Sequence, residues 1–66
     1  MTVEKVRETI VRINDMAGDD EAAHSLEDKL HHDVLEAIAA GKCENPRELA
    51  REVIQTKNIQ FSRWCA

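Results

Sequence analysis

The stretch Asp19–Asp33, "DDEAAHSLEDKLHHD", carries all three histidines of the 66-residue chain and six of its 13 acidic residues. Imidazole and carboxylate groups spaced three or four residues apart on a helix converge on one point, and both suit zinc and related divalent ions. His24, Asp28 and His31 stand at that spacing, with Glu27 beside them. On a helix advancing about 100° per residue from Leu26, His31, His24 and Asp28 fall near 140°, 160° and 200°, and Glu27 near 100°. They form one ridge next to the apolar stripe. Three ligands from one helix leave an open coordination position, as a catalytic metal needs. The spacing H-x3-D-x2-H specifies no class of metal site by itself, and exposed His–Asp pairs are often simply solvated. A wet helix face is therefore the expectation, and zinc or another divalent metal the alternative.

Other residues pose smaller chemical questions. Asp33 falls near −20°, inside the apolar stripe, where an unpaired carboxylate is costly. Arg51 or Arg63 is the expected partner if the edge of the stripe is closed; water serves if it is open. For covalent chemistry the chain offers Cys43, Cys65 and Ser25. Lys42 next to Cys43 favours the thiolate modestly. No base is placed beside any of the three by spacing, so inert thiols are expected and no catalytic residue is assigned.

The charge balance removes further classes. The formal net charge is −4 and the isoelectric point about 5.2. Lys5, Arg7, Arg12, Arg47, Arg51 and Arg63 are interleaved with acids, whereas phosphate binding needs a clustered basic surface. No apolar run approaches the roughly 18 residues of a membrane span, and no signal-peptide pattern is visible. A cytoplasmic location with two unpaired thiols is the resulting expectation.

Three helical segments must position these groups. "TVEKVRETIVRINDMAG" sets Val3, Val6, Ile10, Ile13 and Ala17 on one stripe, with Thr2 as cap and Gly18 as a left-handed stop, giving a helix over 2–17. The second segment runs from about Asp20 to Ala40 and ends at Gly41. Its stripe is Ala23, Leu26, Leu30, Val34, Ala37 and Ile38. Ser25 with Asp28 also matches a capping box, which would start this helix later and leave His24 outside it. Ala22 and Ala23 are strong helix formers and favour the earlier start. In "ENPRELAREVIQT", Asn45 caps, Pro46 opens the helix and Glu48 completes a capping box, while Leu49, Ala50, Val53 and Ile54 form the buried stripe. The tail "KNIQFSRWCA" holds both aromatics, Phe61 and Trp64.

The expected fold is all-α: one small domain over residues 1–66, an antiparallel helical hairpin with a third helix across it, and the aromatic tail packed back. The short apolar list leaves a homodimer through the first two helices open.

The segments "AHSLEDKL", "DVLEAIAAG", "LARE" and "RWCA" resemble a family of small uncharacterised proteins from actinobacterial and phage genomes, across roughly residues 15–66. The resemblance implies a context, a compact accessory or host-directed protein, and carries no activity or site residue with it. The leading functional expectation is a non-enzymatic protein–protein interaction or regulatory module. Phe61, Trp64 and Leu35 are its candidate partner-binding residues. The alternative is a divalent-metal-binding helical protein, hydrolytic as a dimer, built on His24, Asp28, His31 and Glu27.

Overall fold

Thr2 opens the first helix: its backbone is extended and its hydroxyl oxygen accepts from the Lys5 amide at 3.2 Å. The computed structural model describes residues 1–63, with α1 at Val3–Asp15, α2 at Asp20–Ala39 and α3 at Pro46–Ile54, followed by a 3-10 turn at Gln55–Asn58. No strand occurs among the described residues. Each of the three helices packs against the other two. The architecture is the all-helical hairpin with a third helix that the sequence periodicity implies.

The two links are closed by different chemistry. After α1, the Met16 amide bonds back to the carbonyls of Arg12 and Ile13, and the Asp19 amide to that of Met16. Gly18 does not take up the left-handed conformation expected of it, and Gly41 alone among the described residues has a positive φ, at 68°. A chain of successive turns reverses direction at Gly18 without needing that conformation. At Gly41 the reversal is a Schellman motif: the Gly41 amide bonds to Ile38 O and the Lys42 amide to Ala37 O.

Asp19 caps α2 by accepting from the Ala22 amide at 3.2 Å, so the helix starts early and contains His24. Ser25 lies inside it rather than capping it. Asn45 caps α3 by accepting from the Glu48 amide at 3.0 Å, and Pro46 occupies the first helical position, where its missing N–H costs nothing.

The core is Val6, Ile13, Ala23, Leu30, Val34, Leu49, Val53 and Ile59, with Val3, Ile10, Ala17, Leu26, Ile38, Cys43 and Phe61 half-buried against it. Ile54 is a correction to the third stripe, since it is 52% exposed. It follows Leu49 by five residues, about 140° around the helix, so it cannot face the same way. Thr56 and Ile59, beyond the helix, are buried. Phe61 is half-buried against the core; the other half of the expected aromatic tail, Trp64, lies outside the described residues.

Candidate functional site

The histidine-rich face of α2 engages its groups in small local contacts. His24 Nε2 lies 3.5 Å from Asp28 Oδ1. His31 Nε2 lies 3.0 Å from the hydroxyl of Thr56, and His32 pairs with Glu36 one turn on. Glu27 is 5% exposed, paired with Arg63 and, like His31, in contact with the Thr56 hydroxyl. Among the described residues no group of three or more His, Cys, Asp or Glu side chains is placed to hold a metal ion. His24, Asp28, His31 and Glu27 share a helix face as the sequence requires, yet no three of them converge on one point.

The reason is the tail. Arg63 reaches back across the molecule and grips Glu27 with two parallel bonds, Nε to Oε1 and Nη2 to Oε2, both 2.9 Å. Its Nη2 also donates to the carbonyls of Thr56 at 2.8 Å and Ile59 at 3.2 Å. The guanidinium lies over the Phe61 ring, 3.9 Å from its centroid. One planar fork thus satisfies a buried carboxylate and two turn carbonyls, a task for which arginine is suited and lysine is not. The bonds from Arg63 hold the Glu27 carboxyl below the ordinary range against the opposing effect of burial, with the Thr56 hydroxyl lowering it further. The same pair raises Arg63. The Ser62 amide donates to Asp20 Oδ1 at 3.1 Å, a second tie between tail and α2.

Asp33 is half-buried and takes neither expected arginine. Its partner is Lys29, one turn earlier on α2, at 2.9 Å. A local i,i+4 pair needs no cross-helix reach, so it satisfies the carboxylate at lower entropic cost. Arg63 is occupied by Glu27, and Arg51 lies on the exposed side of α3. Among the described residues, the ion pair that joins two helices is Arg7 to Glu52, at 3.0 Å. Leu35 is 66% exposed on the outer face of α2. Cys43 is half-buried between α2 and α3 and packs on the core; Trp64 and Cys65 lie outside the described residues.

One surface feature was not singled out by sequence. Lys5, Thr9 and Arg12, at steps of four and three, line one wall of a trough between α1 and α2. Leu26, Leu30 and Ala37 form its floor, and Lys29 and Asp33 its other wall. The trough is open, has a volume of about 480 Å³, and is lined also by Met1 and Lys42. No residue of α3 lines it, so it is the side of the hairpin that the third helix leaves uncovered. A second hollow, of about 550 Å³, lies where the start of α1 meets the α2–α3 link. Its wall is mixed, with Glu4, Glu44 and Glu48 facing Cys43 and Leu49. The signal for the trough was present as the ridge Lys5–Thr9–Arg12, visible only once its neighbour across the hairpin is known.

Neither a family model nor a curated protein nor a solved structure matches this chain.

Proposed function

We propose that this chain is a non-enzymatic docking module that receives a helical segment of a protein partner in the trough between α1 and α2. The observation that carries the reading is the combination of an apolar floor with the absence of any covering element among the described residues. Leu26 and Ala37 are left half-buried where a hairpin seam would ordinarily be closed by a further helix. Amphipathic helices lie in such grooves by presenting residues at steps of three and four. The walls supply matching periodicity, because both are themselves helix ridges.

Affinity capture with purified protein tests this when three baits are compared. Wild type and Leu35→Glu, changed on the outer face, should retain the same partner. Thr9→Trp, which fills the trough from an accessible position, should lose it. Retention by Thr9→Trp together with loss by Leu35→Glu would move docking to the outer face of α2 and contradict the reading.

A further inference from the structure

We infer that the segment received by this trough is an amphipathic helix whose apolar stripe is flanked by acidic residues. The inference rests on the docking reading and gives the partner its chemistry.

The rim of the trough opposes the charge of the molecule that carries it. The chain has nine basic and 13 acidic residues. Four of the nine, Lys5, Arg12, Lys29 and Lys42, line this one trough, against a single acid, Asp33. Asp33 is already neutralised by Lys29 at 2.9 Å. Lys5, Arg12 and Lys42 make no ion pair among the described residues, whereas Arg7 is engaged by Glu52 and Arg63 by Glu27. Uncompensated cations around an apolar floor are complementary to carboxylates around an apolar stripe.

Spacing adds a register. Lys5 and Arg12 are seven residues apart on one helix, hence about 10.5 Å along its axis, or two turns. A docked helix matches them with acids seven residues apart on the flank that faces α1, while its other flank meets the Lys29–Asp33 pair. Phosphate backbones fit less well, because they offer a floor of leucine and alanine nothing to bury. A second copy of this chain brings a net negative charge, but the exposed large apolar residues of its helices are Val11 on α1, Leu35 on α2 and Ile54 on α3, one on each helix rather than a stripe.

The test uses nuclear magnetic resonance titration of the full chain with two synthetic peptides of about 14 residues, long enough for roughly four turns. Both carry leucines at steps of three and four; one is flanked by glutamate, the other by lysine. The glutamate peptide should shift the amides of Thr9, Leu26 and Ala37 and bind at least roughly tenfold more tightly than the lysine peptide. Its affinity should fall between about 50 mM and about 500 mM salt, as expected of rim charges in water. Lys5→Glu with Arg12→Glu should reverse the peptide preference, and Lys42→Glu alone should weaken it. All three sites are exposed, and a helical melt of each variant confirms folding.

Equal binding of the two peptides, shifts centred on Leu35, preference for an oligonucleotide, or saturation of the same amides by self-association would each overturn the inference. The two readings fail separately. If Thr9→Trp loses a captured partner while the peptides bind equally, docking stands and the acidic chemistry falls. If Thr9→Trp loses nothing, both fall.

Discussion

The most consequential side chain outside the trough is Arg63, because it decides what Glu27 does. Breaking a well-enclosed ion pair from one side costs about 3–5 kcal/mol, and partial exposure of the arginine reduces that figure. Arg63 is 34% exposed, so Arg63→Ala is expected to cost about 2–3 kcal/mol. Arg63→Lys should recover little, since an ammonium cannot make the parallel bonds or cap both carbonyls. Urea unfolding of the two variants checks this. The pair also sets a pH dependence. Glu27 is held below the ordinary carboxylate value of 4.5 in the folded chain, so its contribution is complete above that value and is lost as pH falls through the lower folded value. Wild-type stability should therefore decline below about pH 4.5, and Glu27→Gln should flatten that decline. None of this pairing was legible in sequence. Glu27 and Arg63 are 36 residues apart, and helical geometry placed Glu27 only at the edge of the His24–Asp28–His31 ridge. Which acid a distant arginine selects depends on how the tail returns, and periodicity carries no information about that. Asp33 shows the converse: its local partner Lys29 was four residues away, and the apolar surroundings drew attention to remote arginines instead.

At the scale of elements, the boundaries were readable where a cap chemistry is distinctive. Asn45–Pro46 fixes the start of α3, and the helix-forming alanines after Asp19 fix the early start of α2. The two glycines looked alike in sequence and are not. Gly41 is left-handed and closes a Schellman motif, so Gly41→Ala should destabilise by about 1 kcal/mol. Gly18 has no positive φ and nothing within 4 Å of where a Cβ would stand. Gly18→Ala should be neutral or stabilising by up to ~1 kcal/mol, through the unfolded chain. Thermal melts of the pair test the contrast, and equal losses would contradict the assignment of the two turns. Asn45→Ala should cost about 1 kcal/mol through loss of the α3 cap.

For the whole molecule, the apolar stripes of α1 and α2 predict which faces meet but not which side of their seam stays open. That side is decided by where α3 lands, and α3 is tied to α1 through Arg7 and Glu52 as well as through Leu49 and Val53. Leu30 belongs to both surfaces: it is 4% exposed in the core and forms part of the trough floor. Leu30→Ala should cost about 2–4 kcal/mol and weaken docking beyond what reduced folding explains. The direct measurement of the central claim is site-specific photo-crosslinking in the native cell, with the reactive group placed at Thr9 in one variant and at Leu35 in another. Docking in the trough predicts a discrete protein adduct from Thr9 and none of that mass from Leu35. An adduct from Leu35 alone would contradict it.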